Sequence, residues 1–185
     1  VYFRRTLFEM ARDWLASVLA RRQVGQSPLA WAVLFGTIPA GVVGLLFRHQ
    51  VETTLRSPLV VACTTIGFAL LLFVADRRAG KRSEQTVGWL DVVVIGCAQA
   101  LALVPGTSRS GVTMSAGLLR GLSREAAARF SFLLAVPVMT AAGLAEVLGY
   151  SSGQGAVDVR AIALGAVLSA LTGLACIHYF LKWLT

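Results

Sequence analysis

The stretch that decides the fold is Pro105-Gly106-Thr107-Ser108-Arg109-Ser110-Gly111, inside the apolar segment 92–119. This segment of 28 residues carries one charge, that of Arg109. A straight helix of that length would reach about 42 Å, longer than a bilayer core requires. Proline removes a backbone donor and glycine loosens the chain, so the Pro105-Gly106 pair argues against one straight helix. The sequence therefore predicts two shorter helices that meet at residues 105–111.

The composition of the whole chain is that of an integral membrane protein. Hydrophobic residues make up 56% of the 185 residues, charged residues only 14%, and the mean hydropathy is +0.72. The net charge of +8 could suggest nucleic acid, but the basic residues form small clusters between apolar runs. We therefore expect a lipid bilayer as the surroundings and no nucleic-acid partner. The three cysteines are widely spaced in apolar runs, so the sequence shows no disulfide framework and no metal site.

Apolar runs predict the remaining elements, since a spanning helix needs about 20 residues. The predicted transmembrane helices are 31–47, 58–75, 130–148 and 161–181. Residues 1–20 predict an amphipathic interfacial helix, with Phe3, Leu7, Trp14 and Val18 on one face and Asp13 on the charged face. The predicted fold class is all-α: a polytopic transmembrane helix bundle in a single integral membrane domain, 1–185.

The basic residues decide whether 92–119 crosses the membrane or turns back, because cytoplasmic loops collect lysine and arginine. A re-entrant helix pair over 92–119 divides the basic residues outside it 13 to 3, whereas a single crossing divides them 10 to 6. The re-entrant hairpin is favoured, with its base at the cytoplasmic side. Broken backbone at membrane depth requires protein or water around its polar groups, so we expect the hairpin tip to line a buried cavity.

The residues at the tip predict an anion-binding site. Arginine in the hydrocarbon region persists only with a partner, and this segment contains no carboxylate. The groups around Arg109 are hydrogen-bond donors, joined by the N-terminus of the following helix. Such a set suits a phosphate or diphosphate, which accepts bidentate arginine bonds. The candidate catalytic residues are Arg109, Ser108 and Ser110, and the candidate substrate-binding residues are Gly106, Thr107, Gly111, Thr113 and Gln99.

Two alternatives concern single residues of this site. Arg109 could instead pair with a glutamate elsewhere in the bundle and serve only the fold. Gln99 could hydrogen-bond the ligand or bridge two helices. The sequence leaves the choice open for Gln99.

The run from Gly96 to Thr113, Gly-Cys-Ala-Gln-Ala-Leu-Ala-Leu-Val-Pro-Gly-Thr-Ser-Arg-Ser-Gly-Val-Thr, closely resembles a signature of a known family. It is similar to the second signature region of the bacterial undecaprenyl-diphosphate phosphatases of the bacitracin-resistance type. The runs Gly121-Leu122-Ser123-Arg124 and Phe130-Ser131-Phe132-Leu133-Leu134-Ala135-Val136-Pro137 also match its pattern.

The resemblance implies hydrolysis of undecaprenyl diphosphate to undecaprenyl phosphate and phosphate, which recycles the lipid carrier of peptidoglycan synthesis in the bacterial plasma membrane. It implies that Arg109 binds phosphate, that Ser108, Ser110 and Thr113 are its hydroxyl partners, and that Gln99 is a polar position of the motif. It also implies two inverted repeats, of which this hairpin is the second, and a divalent cation such as Mg or Ca. A homodimer is compatible with the sequence.

One departure from the family pattern affects the expected activity. The family's first signature, two glutamates followed by Pro-x-Ser-Ser-x-Gly-His, is absent from these 185 residues, as is a last helix after Thr185. We therefore expect the chain to be a fragment that does not turn over substrate by itself. A transporter or flippase for an anionic lipid or small anion is the alternative function, because broken helices around a midplane site are typical of transporters.

Overall fold

The computed structural model describes residues 3–47, 57–150 and 159–184, and of 145–150, 159, 161 and 184 the backbone alone. Within these ranges the chain forms seven α-helices, one 3-10 turn at Glu84–Thr86, and no strand. The helices are α1 (Arg4–Ala20), α2 (Ser27–Leu46), α3 (Pro58–Asp76), α4 (Trp89–Leu101), α5 (Arg109–Leu119), α6 (Arg124–Tyr150) and α7 (Val159–Leu184).

Four of these helices are long and apolar enough to cross a membrane: α2, α3, α6 over Arg124–Leu144, and α7 over Ile162–Trp183. The predicted all-α, polytopic membrane fold is confirmed. Two helices begin earlier than hydropathy indicates. Helix α2 begins at Ser27 because Pro28 fits the first turn of a helix. Helix α6 begins at Arg124 because the Ser123 hydroxyl caps it, accepting a hydrogen bond from the Ala126 amide at 3.1 Å.

The amphipathic helix α1 packs against the core through Phe3, Leu7 and Trp14, three of the four residues predicted for its apolar face. Asp13 is only 6% exposed, whereas Val18 is 47% exposed. The Asp13 carboxylate accepts a hydrogen bond from the Gln26 amide at 2.9 Å and another from Arg12 at 2.9 Å. The Gln26 bond, with the Arg12 bond second, holds the pKa of Asp13 below its ordinary value. The prediction that placed Asp13 on the charged face and Val18 on the apolar face was therefore wrong, because Asp13 ties α1 to the start of α2.

The core lies where α1, α2, α4 and α6 meet, around the buried side chains of Ile95, Phe130 and Leu134. Helices α2 and α4 approach closely because glycines face each other there. A Cβ atom on Gly96 would lie 2.8 Å from the carbonyl oxygen of Gly36. In contrast, α3 and α7 leave most of their apolar side chains exposed, as helices that face lipid do.

Helices α4 and α5 form a hairpin that returns to the side from which it starts. Asp91 lies in the first turn of α4 and Arg120 follows the last residue of α5. The Arg120 Nε atom donates to the Asp91 carboxylate at 2.7 Å, so the two outer ends of the hairpin meet. This geometry agrees with the hairpin that the distribution of basic residues favours.

Asp91 is the centre of a clamp at the base of this hairpin. Its side chain, outside the apolar segment 92–119, is 3% exposed and accepts hydrogen bonds from Arg82 at 2.7 Å, Arg120 at 2.7 Å and the Gly88 amide at 3.0 Å. Burial alone would raise the pKa of Asp91, but the bonds from Arg82, Gly88 and Arg120 outweigh it and lower the pKa to about 2. Arg82 also donates to the Arg120 carbonyl at 2.8 Å, so it bonds to both of the residues that meet at the base of the hairpin.

We expect Asp91→Asn to lower the free energy of unfolding of the protein by about 1–2 kcal/mol, because it leaves two arginines without their carboxylate. The value lies below the about 3–5 kcal/mol of a fully buried pair, since the Arg82 and Arg120 side chains are 39% and 34% exposed. The folded-state pKa lies below the ordinary 3.8, so the stabilisation by Asp91 is complete above about pH 4 and is lost as the pH falls toward 2. Thermal melting of both proteins in detergent measures this difference. Equal melting temperatures at pH 7 would contradict the clamp.

Candidate functional site: the tip of the α4–α5 hairpin

The chain reverses between α4 and α5 through a turn centred on Gly106. Gly106 has φ +88°, a left-handed conformation that side chains other than glycine rarely adopt. It also lies directly against α3, where a Cβ atom would be 2.5 Å from the carbonyl oxygen of Val61. Glycine is therefore required at the tip for both its backbone angle and its lack of a side chain.

Two threonines of α3 hold the tip in place. The Thr64 hydroxyl donates to the carbonyl oxygen of Pro105 at 2.7 Å, and the Thr65 hydroxyl lies 3.0 Å from the carbonyl oxygen of Gly106. The sequence analysis did not identify either residue. The available signal was a pair of adjacent hydroxyls within an otherwise apolar span, but threonines in helices commonly bond to their own backbone instead.

The N-terminus of α5 lies directly after this turn. Ser108 is the N-cap, and its hydroxyl accepts a hydrogen bond from the Gly111 amide at 3.2 Å and lies 3.4 Å from the Ser110 hydroxyl. Among residues 3–47, 57–150 and 159–184, no acceptor bonds to the backbone N–H groups of Arg109 and Ser110. Such groups at a helix N-terminus, with the helix dipole, attract an anion.

Arg109 begins α5 and is half-buried. Its guanidinium forms no ion pair and no hydrogen bond with any residue that the structure describes. Pairing with a glutamate, the structural alternative for this arginine, is therefore not observed in that part of the chain. Arg109, the N–H groups beside it and the Ser108 and Ser110 hydroxyls together form what we call the anion receptor.

Two predicted ligand residues lie inside the bundle. The Thr113 hydroxyl is 2.6 Å from the Ser131 hydroxyl of α6 and 2.9 Å from the Arg109 carbonyl oxygen. The Gln99 amide donates to the Gly36 carbonyl oxygen of α2 at 3.4 Å, the helix-bridging role left open by the sequence. Both side chains are 2% exposed. They support the hairpin, and direct contact with a ligand stays a prediction for each.

The tip is more open than the sequence predicts. We expected a buried cavity, but Gly106 and Ser108 are exposed, and Thr107, Arg109, Ser110 and Gly111 are half-buried. One side of the tip lies against α3, through Val61 and Thr64, and no described residue bonds to the Arg109 guanidinium. The Thr107 hydroxyl oxygen is buried and has no hydrogen-bond partner among the described residues.

The receptor does not fit a divalent cation. Mg and Ca take oxygen ligands, chiefly carboxylates, whereas this tip presents a guanidinium, amide N–H groups and hydroxyls. In the described ranges, no group of three or more His, Cys, Asp or Glu side chains could hold a metal ion. The cation implied by the resemblance therefore stays a prediction.

The fold is that of a polytopic helical membrane protein, and the tip of its α4–α5 hairpin carries an arginine and backbone N–H groups that have no acceptor among the described residues. The chain belongs to the bacitracin resistance protein BacA family, whose family model matches residues 1–185. The family resemblance seen in the sequence is confirmed.

Curated relatives agree along nearly the whole chain. Undecaprenyl-diphosphatase 2 of Stutzerimonas stutzeri is 56% identical over 187 residues, which cover 99% of this chain and 69% of that protein. The undecaprenyl-diphosphatase of Nitrosococcus oceani is 55% identical over 99% of this chain and 69% of its own length. That of Idiomarina loihiensis is 48% identical over 100% of this chain and 70% of its own length.

Proposed function

We propose that the protein hydrolyses undecaprenyl diphosphate to undecaprenyl phosphate and inorganic phosphate. The observation that carries this proposal is Arg109, an arginine without a protein partner in the described residues, at a helix N-terminus on an apolar hairpin. The tip around it, residues 105–111, contains no carboxylate and has N–H groups without an acceptor among the described residues, which suits an anionic headgroup. The activity named for the relatives supports a diphosphate as that headgroup.

Hydrolysis breaks the bond between the bridging oxygen and the terminal phosphorus, while a water oxygen forms a new bond to that phosphorus. The bridging oxygen leaves with undecaprenyl phosphate, and the water oxygen leaves in inorganic phosphate. Phosphoryl transfer depends on positioning and on stabilisation of charge at the phosphate oxygens. We assign that stabilisation to the Arg109 guanidinium, the N–H groups of Arg109 and Ser110, and the Ser108 and Ser110 hydroxyls. We assign no nucleophile and no base.

The rest of the proposal concerns the setting of the reaction. We place the protein in the bacterial plasma membrane, where the product would be reused as the lipid carrier of peptidoglycan synthesis and the activity would confer the bacitracin resistance for which the family is named. A divalent cation and a homodimer stay predictions. The alternative, a transporter or flippase for an anion, has no observation of its own in the described structure.

Phosphate release separates the two functions. We expect the full-length protein in detergent to release one inorganic phosphate for each undecaprenyl phosphate formed from undecaprenyl diphosphate. Undecaprenyl phosphate is the matched control and should release none, since it lacks the anhydride bond. If the protein moves the diphosphate across a liposome membrane without releasing phosphate, the transporter is supported and the phosphatase is rejected.

A further inference from the structure

We propose that Thr64 is a positioning residue for the anion receptor. Its hydroxyl donates a hydrogen bond to the Pro105 carbonyl oxygen and so keeps the hairpin tip in its anion-binding conformation. This inference rests on the proposed function. It concerns a residue of α3, outside the hairpin and outside the motif that identifies the family.

The Thr64 hydroxyl carries one proton, so it can donate to one of several carbonyl oxygens near it. Three carbonyl oxygens lie within reach of its single proton, those of Val60 at 2.9 Å, Val61 at 3.1 Å and Pro105 at 2.7 Å. The Val60 and Val61 carbonyls lie inside α3, where helix N–H groups already donate to them. Among the described residues, no other donor reaches the Pro105 carbonyl. The Thr64 hydroxyl therefore stabilises the structure most when it donates to the Pro105 carbonyl oxygen, which is also the closest acceptor.

The consequence for the receptor follows from the chemistry of an anion site. A carbonyl oxygen without a donor repels a phosphate, and Pro105 and Gly106 precede the Ser108 cap by only a few residues. Thr64 donates to the first carbonyl of the turn, and Thr65 lies near the second. The Arg109 guanidinium and the N–H groups of Arg109 and Ser110 have no partner among the described residues. Thr65 contributes less, because its hydroxyl is closer to the Val61 carbonyl, at 2.7 Å, than to Gly106, at 3.0 Å.

The chain provides a matched control for removing this hydroxyl. Thr140 makes the same bond to its own helix, to the Val136 carbonyl at 2.8 Å, and it is exposed. Thr140→Val thus removes a threonine hydroxyl from an apolar span without touching the hairpin. Thr64→Ser keeps the hydroxyl and removes only a methyl group, so it is the rescue variant.

We expect Thr64→Val in the full-length protein to lower kcat/KM for undecaprenyl diphosphate about tenfold, the scale of one lost hydrogen bond to an otherwise unsatisfied carbonyl. Inhibition by inorganic phosphate should weaken as well, which a general loss of folded protein would not cause once rates are expressed per folded molecule. Thr65→Val should lower kcat/KM less than Thr64→Val does. Thr64→Ser and Thr140→Val should have the wild-type kcat/KM. Thr64→Val at the wild-type rate, or a tenfold loss in Thr64→Ser, would overturn the positioning role and leave the proposed function intact.

Hydrogen exchange keeps the test independent of turnover. The backbone N–H groups of residues 103, 104 and 106–108 should exchange faster in Thr64→Val than in wild type, and at the wild-type rate in Thr64→Ser. If wild type releases no phosphate, the proposed function fails, and this exchange comparison still decides the role of Thr64. Unchanged exchange in Thr64→Val would reject it.

Discussion

Arg109→Lys should lower the rate of phosphate release from undecaprenyl diphosphate by about 100-fold, the scale of removing one donor from an oxyanion site. The lysine keeps the positive charge but replaces a planar fork of five donors by a single ammonium, which cannot bind two phosphate oxygens in parallel. In the described structure Arg109 has no protein partner whose loss could explain a change in stability. The melting temperature should therefore stay close to that of wild type while the rate falls.

Arg78→Lys is the control for this substitution. Arg78 is exposed in the loop after α3, at the base of the hairpin and far along α3 from the threonines that hold the tip. It should retain the wild-type rate. Wild-type turnover in Arg109→Lys would remove the guanidinium from its proposed role and leave the helix N-terminus as the whole of the receptor.

The features that the sequence predicted well are those with local signals. Hydropathy identifies the spanning helices because each one must satisfy its own backbone and meet lipid along its length. The break at Pro105-Gly106 is a local property of two residues, and the structure indeed has a turn there, with φ +88° at Gly106. The Ser108 cap follows from its position before the helix, and its hydroxyl bonds to the Gly111 amide.

The features that the sequence missed depend on contacts between distant residues. Thr64 meets Pro105 across 41 positions, and Asp91 meets Arg120 across 29. A helical pattern gives the direction of a side chain but not the element it will reach. The same reason explains Asp13, whose partner is the Gln26 amide in the turn to the next helix. In the sequence, a carboxylate on α1 indicates an exposed charged face, because the pattern of one helix does not show a partner in the following turn.

These distant contacts hold the hairpin at both ends. The Asp91 clamp joins the outer ends of α4 and α5 at the base, and α3 holds the turn at the tip. Both helices of the hairpin bury residues in the bundle, and fixing both ends limits the motion of α5 further. An anion receptor benefits from that rigidity, because displacement of a binding group by about 1 Å can cost about 100-fold in rate.

Gly106→Ala should be the most damaging change at the tip outside Arg109. Alanine in a left-handed conformation costs about 1–2 kcal/mol, and its Cβ would overlap the Thr64 hydroxyl oxygen and lie 2.5 Å from the Val61 carbonyl oxygen. Since the Val61 backbone belongs to α3, only the tip can move. We expect the turn to leave α3, which displaces the anion receptor and lowers phosphate release by about 100-fold. The free energy of unfolding should fall by about 2–4 kcal/mol, from the backbone strain and the overpacking together.

Gly67→Ala separates this effect from a general cost of adding a methyl group. Gly67 lies on α3, the helix that receives the tip, and a Cβ atom there would meet nothing within 4 Å. Alanine within a helix is about 0.5–1 kcal/mol more favourable than glycine. Gly67→Ala should therefore keep the wild-type rate and melt at the same temperature or slightly higher. If Gly106→Ala also keeps the wild-type rate and melting temperature, the tip does not pack against α3 as the structure shows. The positioning of Arg109 through Thr64 would then have no basis.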